Sequence, residues 1–371
     1  MSSSTQILND AFRQQQEAFI ERMLRSASGV FDIFSIYIGH KLGFYRTLAQ
    51  YSGLTATELA DYTGAHPRYV REWLEQQTVT GILELDPGRK AGSNELAYFR
   101  IPAGHVEALV ETDSLNYITP LAQLQVGAVF PLTALLKAYR QGGGVAYADY
   151  GPDLIEGQAA MNRAMFLKLL GTEWLPAIAD VHARLQANPP ARVADIGCGA
   201  GWSSIGMAQS YPNITVDGFD LDEFSVKMAR NNAFEAGLTK RINFQLRDAG
   251  DPALAGQYDL VTAFECLHDM SQPVATLRAM RRLAGENGAV IIVDERVGDS
   301  FSSNWGELDW MMYGWSILHC LPAGMAEQPS AQTGTVMRFD TLRGYALEAG
   351  FKQVEILPIE NFFFRFYRLH A

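Results

Sequence analysis

The sequence predicts an α/β protein, a parallel sheet with crossover helices that ends in an antiparallel hairpin, preceded by a mainly helical winged-helix domain. Three observations carry this. After Ala191, short apolar runs alternate with helical stretches, the pattern of parallel strands joined by helices. The tail departs from that alternation: FKQVEILPIE and NFFFRFYRLH read as two strands joined by a short turn, a mixed-sheet feature. Upstream, residues 55–85 read as helix, short turn, helix and strand.

In order, the chain opens with an amphipathic helical pattern from Gln6 to Arg25. Val30 to Leu48 then repeats apolar residues with little net charge, so burial is expected there, with a second subunit as one way of covering it. Between Thr55 and Leu85, Thr55 or Thr57 supplies an N-cap and Pro67 a helix start. A strand from Gly81 to Leu85 and a polar Asp86-Pro87-Gly88 turn complete the winged-helix pattern. Residues 106–140 read as helical and apolar, and Gln141 to Asp153, with three consecutive glycines, as a loop or hinge. A helix is expected from Leu154 to Ala187, bent or broken at Pro176 and closed by Pro189-Pro190. Parallel strands are expected at Arg192 to Ile196, Thr215 to Phe219, Ile242 to Leu246, Tyr258 to Phe264 and Ala289 to Val293.

Composition narrows the function. The 371 residues suffice for roughly two domains, and 48% hydrophobic with 19% charged residues is the balance of a folded globular protein. Thirty basic against 41 acidic residues give a net charge of -11, which repels phosphate polymers and anionic membrane surfaces. A groove-reading helix should be basic, yet residues 55–85 hold only Arg68 and Arg71 against Glu58, Asp61, Glu72, Glu75 and Glu84. Nucleic acid is therefore not expected as a partner. Cys198, Cys266 and Cys320 form no CxxC pair, which points to a reducing, cytoplasmic setting. The N-terminus lacks a signal-like apolar region and no stretch approaches 18 apolar residues, so no membrane partner is expected either.

The chemistry-bearing residues cluster at strand ends. Asp195-Ile-Gly197-Cys-Gly199-Ala-Gly201 follows the first parallel strand and opens a helix, where open α/β sheets bind ligands. Glycines let the backbone turn sharply and approach a ligand, and the helix N-terminus offers free N–H groups. Asp220 ends the second strand, 19 residues after Gly201, placed to accept ribose hydroxyls. Asp248 ends the third, beside Ala249, placed to receive an adenine amino group. Together they describe a nucleoside pocket. Dinucleotide enzymes share the loop and the second-strand acid, but their fingerprint is GxGxxG, and here the spacing is GxGxG with Trp202 where the last glycine belongs.

In the order VADIGCGAG, GFDLD, LRDAG and YDLVTAFECLHDM, with the terminal reversed hairpin, the chain resembles class I S-adenosylmethionine-dependent methyltransferases. The resemblance implies a Rossmann-like, seven-stranded methyltransferase sheet. It implies S-adenosylmethionine as cofactor and S-adenosylhomocysteine as product, with no metal expected. The cofactor residues implied are Asp195, Gly197, Gly199, Gly201, Asp220, Leu221, Asp248, Ala249 and Phe264. An N-terminal winged-helix domain before such a fold is similar to the small-molecule O-methyltransferases, in which it serves as dimer interface and pocket wall. This layout implies residues 1–105 as a dimerisation domain, 106–190 as helical linker and pocket wall and 191–371 as the catalytic domain, in a homodimer acting on a small-molecule acceptor. Met161-Asn162-Arg163-Ala164-Met165 resembles the family's FNxAM pattern, with Met in place of Phe.

Methyl transfer to a hydroxyl needs an aligned acceptor, a base and exclusion of water. His268-Asp269 resembles the HDW segment of those enzymes, whose His is the general base, with Met270 in place of Trp. A histidine's ordinary pKa suits proton abstraction near neutrality. Glu295 resembles the Glu that orients that His, whereas residues 320–337 depart from the family pattern and hold only Glu327 near its second supporting Glu. Asn162, Met165, Phe166, Trp315 and His319 are the expected acceptor contacts, with an aromatic or otherwise flat acceptor. His319, 51 residues after His268, opens an alternative: two histidines holding iron or zinc in a C-methyltransferase acting on a 2-oxo acid. A winged-helix regulator that senses S-adenosylmethionine is the non-enzymatic alternative.

Overall fold

The computed structural model of the chain describes residues 2–86, with side chains from residue 9 onward, together with residues 97–254, 256–301 and 306–371. The chain divides into two compact units, Met1–Val126 and Gly127–Ala371.

The first unit begins with one long helix, α1 (Ser2–Lys41), followed by α2 (Phe44–Gln50), α3 (Ala56–Thr63) and α4 (Pro67–Val79). The two helical patterns expected around residues 26–30 are thus continuous. Thr55 caps α3 through a capping box: its hydroxyl accepts from the Glu58 N–H, and the Glu58 carboxylate accepts from the Thr55 N–H. Pro67 opens α4, where its missing N–H loses nothing. The antiparallel strands β1 (Glu84–Leu85) and β2 (Phe99–Arg100) form the wing, and positions 87 and 88 of the expected turn lie outside the described residues. Phe44, Tyr45, Leu48, Leu59, Trp73 and Leu74 form this unit's core. Burial was expected throughout residues 30–48, but only its end is buried: Phe31, Phe34 and Ile38 on α1 are exposed. One helix cannot turn all of its apolar residues toward a core that lies on one side. On α4, Arg68 pairs with Glu72 and Arg71 with Glu75, which neutralises the only two arginines of residues 55–85. The short helix α5 (Val106–Val110) follows, and α6 (Pro120–Val129) runs through the division between units.

The second unit holds α7 (Leu132–Gln141), α8 (Pro152–Lys168), a single π-helical turn at Leu170–Trp174 and α9 (Ala179–Gln186). The expected helix from 154 to 187 is therefore interrupted just before Pro176. A seven-stranded sheet follows: β3 (Arg192–Ile196), β4 (Thr215–Asp220), β5 (Ile242–Leu246), β6 (Leu260–Phe264), β7 (Ala289–Glu295), β8 (Gln353–Ile356) and β9 (Phe364–His370). Its spatial order is β5-β4-β3-β6-β7-β9-β8, with β9 antiparallel to β7 and β8 antiparallel to β9. Crossover helices α10 (Trp202–Ser210), α11 (Glu223–Glu235) and α12 (Pro273–Ala284) join the parallel strands, and α13 (Glu307–Trp315), α14 (Leu321–Gly324) and α15 (Phe339–Glu348) precede the hairpin. Two apolar cores flank the sheet, one including Ile205 and Val226, the other Leu277, Met280 and Leu342. All of β6 is buried, as a strand covered on both faces must be. The strand order reverses between β3 and β6, which makes the crevice above their carboxyl ends the ligand position of an open α/β sheet.

Among the described residues no single helix is long and apolar enough to cross a membrane; α6 and α7 reach that length only together, across a 50° bend.

Candidate active site

A cavity of about 690 Å³ opens at the carboxyl edge of the sheet, lined by the loops after β3, β4, β5 and β6 and by one side of α8. The glycine loop forms its floor. The N–H groups of Gly197 and Cys198 donate to the Phe219 carbonyl, tying the loop to β4. Gly199 and Gly201 both have positive φ, 49° and 80°, where glycine is preferred. They differ in surroundings. A Cβ on Gly201 would lie 2.4 Å from the Phe244 ring, whereas one on Gly199 would meet nothing within 4 Å, because Gly199 faces the cavity.

The acids after the next strands meet this loop. Asp220 Oδ2 accepts from the Gly199 N–H at 2.8 Å and Oδ1 from the Asp222 N–H at 2.9 Å, which leaves its outer lone pairs toward the cavity. Burial raises its pKa against the pull of those N–H groups. Asp222 caps α11 by accepting from the Ser225 N–H. Asp248 accepts from the Gly250 N–H at 2.7 Å and lines the cavity with Ala249 and Leu221. Phe264 and Phe166 meet edge to face, centroids 5.3 Å apart, and form an apolar wall.

Asp195 corrects the expected cofactor set. It is 1% exposed and absent from the cavity lining; its carboxylate accepts hydroxyl hydrogens from Ser203, Ser204 and Thr262 at 2.6, 2.7 and 2.9 Å. Three charge-assisted bonds turn it beneath the loop, where it fastens β3 to β6 and to the start of α10.

The acid-base residues sit deeper. His268 is 2% exposed, on a single helical turn after β6, and its Nδ1 lies 2.8 Å from Asp294 Oδ1 and 2.9 Å from Glu295 Oε2. One N–H cannot serve both, and the hydrogen bond goes to Asp294. Burial works to lower the His268 pKa, but Glu295 and Asp294 outweigh it and raise it well above 6.5, so the ring is an imidazolium at neutrality. Asp294, despite burial, is held below the usual carboxylate range by that charge. Burial pushes Glu295 up to about 7 against the attraction of His268. Asp269 lines the cavity and is raised by burial to about 6. His319 packs edge to face on Tyr150 and places Nδ1 3.4 Å from the Cys320 sulfur. Burial, then the charge on His268, lowers it to about 3, so His319 is neutral, with no hydrogen-bond partner for Nε2 among the described residues.

Of the residues expected from sequence, the cavity brings together Gly197, Gly199, Asp220, Leu221, Asp248, Ala249, Phe264, Asp269, Asn162 and Phe166. Gly201, His268, Glu295, Met165, Trp315 and His319 do not line it. For His268 the reason is the pull of the β7 acids; Met165 packs on the sheet core instead. Two residues were not foreseen. Asp294 follows the apolar run of β7 and reads from sequence as a strand-end neighbour of Glu295. Glu265, in FECL directly after the buried β6, has φ 52° and lines the cavity. An acid immediately behind a wholly buried, mostly apolar strand was its one sequence signal.

A seven-stranded sheet with a reversed hairpin, preceded along the chain by a winged-helix unit, is the methyltransferase-like α/β fold. Residues 188–333 match the family described as "Methyltransferase domain", and residues 33–108 match the "Rv2258c-like winged HTH domain". The chain thus carries a methyltransferase domain behind a winged-helix domain. It is 38% identical over 123 residues to ubiquinone biosynthesis O-methyltransferase of Azoarcus sp. (strain BH72), covering 33% of this chain and 48% of the relative. The enzyme of the same name from Aromatoleum aromaticum is 30% identical over 169 residues, 45% of this chain and 66% of the relative. The chain spans about half the length of the first of these. Among solved structures, mitomycin 7-O-methyltransferase superposes with a TM-score of 0.71 at 18% identity, covering 97% of this chain and 99% of that one. Human N-acetylserotonin methyltransferase in complex with SAM superposes with a TM-score of 0.68 at 16% identity, covering 100% and 99%. At these identities the likeness is one of fold.

Proposed function

We propose that this protein transfers a methyl group from S-adenosylmethionine to a hydroxyl oxygen of a small, flat acceptor. The observation that carries the reading is Asp220, held by the Gly199 N–H at the cavity floor, with Asp248 on the adjoining strand end. The residues present fit a nucleoside: Asp220 accepts from ribose hydroxyls, Asp248 from an adenine amino group, and the open side of Gly199 admits the ligand. The bound cofactor supplies an electrophilic methyl group. Phe166 and Phe264 exclude water from the transfer site, and Asn162 holds the acceptor side of the wall. His268, which does not line the cavity, would take the hydroxyl proton at Nε2 once the acceptor reaches it, because Nδ1 is committed to Asp294. It must first lose the proton that Asp294 and Glu295 hold on it, so turnover should rise with pH. Homodimerisation through the N-terminal unit agrees with the exposed Phe31, Phe34 and Ile38 of α1, and the paired arginines of α4 speak against nucleic acid as a partner.

Calorimetric titration with S-adenosylhomocysteine tests the reading. Wild type should bind, and Asp220→Ala should lose binding, because the ribose hydroxyls are left unpaired. Unchanged affinity in the variant would sink the assignment.

A further inference from the structure

We propose that Glu265 is the counter-charge for the cofactor's sulfonium, a carboxyl that ionises when the positively charged cofactor enters and regains its proton beside the neutral thioether product. The inference rests on the cofactor reading above and adds to it a role for a residue that reading leaves unused.

The placement comes from the sheet. Asp248 follows β5, Asp220 ends β4, the glycine loop follows β3 and Glu265 follows β6, and these four strands are neighbours in that order. Adjacent strands lie about 4.8 Å apart. A nucleoside with its base at Asp248 and its ribose at Asp220 therefore extends its 5′ substituent over the glycine loop toward β6. That substituent carries the sulfur, and the crevice between β3 and β6 is where the strand order reverses.

The side chain is enclosed there with few hydrogen-bond donors. Glu265 Oε2 accepts from the Gln158 side-chain amide at 3.2 Å, and Asn162, one turn further along α8, favours the ionised carboxyl. Oε1 is buried and has no hydrogen-bond partner among the described residues. The backbone at Glu265 lies in the left-handed region, φ 52°, which a residue with a side chain adopts only when its surroundings hold it there. The groups facing it are Glu295 and Asp294 from β7, His268 from the following turn, and Gln158 and Asn162 from α8. Burial, then Glu295, raises its pKa to about 8, while Asn162 and His268 oppose that rise. Burial thus biases the carboxyl toward its protonated form. A fixed positive charge nearby reverses the balance: the O–H bond breaks, the electron pair stays on oxygen and the proton leaves to buffer. The net charge of the cavity then changes little on loading.

Two ligands separate this role from every other. S-adenosylmethionine and S-adenosylhomocysteine share adenosine, ammonium and carboxylate and differ in the methyl group on sulfur and the positive charge that comes with it. Calorimetry of wild type at pH 7 in two buffers of different protonation enthalpy should show proton release with S-adenosylmethionine and none with S-adenosylhomocysteine. Glu265→Gln keeps the shape, and should abolish the release and weaken S-adenosylmethionine about tenfold or more, leaving S-adenosylhomocysteine within about twofold. Equal effects on both ligands, or on neither, would overturn the proposal while the cofactor reading stands. Failure of wild type to bind either ligand would overturn the cofactor reading itself. A second measurement needs no variant: the wild-type affinity ratio, S-adenosylmethionine over S-adenosylhomocysteine, should climb between pH 6 and pH 9 as the carboxyl ionises. A flat ratio refutes the assignment.

Discussion

Adding one methyl group at two positions of the same loop should separate ligand approach from packing. At Gly201 an alanine Cβ would stand 2.4 Å from the Phe244 ring and 3.0 Å from the Ala229 methyl, both in the closed core beside β5, with φ at 80°. The left-handed backbone costs about 1–2 kcal/mol for a side-chain-bearing residue. Overpacking adds about 1–3 kcal/mol, because neither a central phenyl ring nor a helix can retreat freely. The sum, about 2–5 kcal/mol, corresponds to a fall of about 5–15 °C in the melting midpoint of a unit this size. At Gly199 the same change meets nothing within 4 Å and carries only the backbone penalty, so the midpoint should fall by about 5 °C or less. Its methyl group would project into the cavity beside the N–H that donates to Asp220, and S-adenosylhomocysteine affinity should drop about tenfold or more. Thermal denaturation and calorimetry on both variants read the two effects independently. Gly199→Ala binding like wild type would refute the claim that ligand approaches this backbone, and an unshifted melt for Gly201→Ala would refute the packing argument.

His268→Ala should leave S-adenosylhomocysteine binding intact, since the residue does not line the cavity, while turnover of an accepted phenol falls about 100-fold or more. Activity equal to wild type would remove His268 from the mechanism. In wild type the kcat/KM profile should rise from pH 6 toward alkaline values, because the base form appears only above the raised His268 pKa, and Asp294→Asn should move that rise to lower pH. A profile flat over that range contradicts the assignment. In the N-terminal unit, Thr55→Ala removes the hydroxyl that caps α3 and should destabilise it by about 1 kcal/mol, read by chemical denaturation.

Much of this protein is legible without coordinates because the deciding signals are local. Five parallel strands, the glycine loop and the hairpin follow from apolar runs and spacing, since strand burial and turn geometry act over a few residues. Asp220 and Asp248 could be placed for the same reason: a strand's carboxyl end fixes where its next residue points. What sequence left undecided depends on contacts between distant elements. Asp195 looked like Asp220 in the string, but hydroxyls from α10 and β6 claim its carboxylate. His268 and Asp294 lie 26 residues apart and become a buried ion pair only because β6 and β7 are neighbours. The Glu265 carboxyl has its pKa raised because the surrounding elements bury it, among them α8, which belongs to a stretch more than 90 residues earlier. Residue identity along the chain therefore determined the fold and the strand-end chemistry, whereas charge state and access were decided by tertiary packing, since desolvation and ion pairing depend on every element that encloses a group.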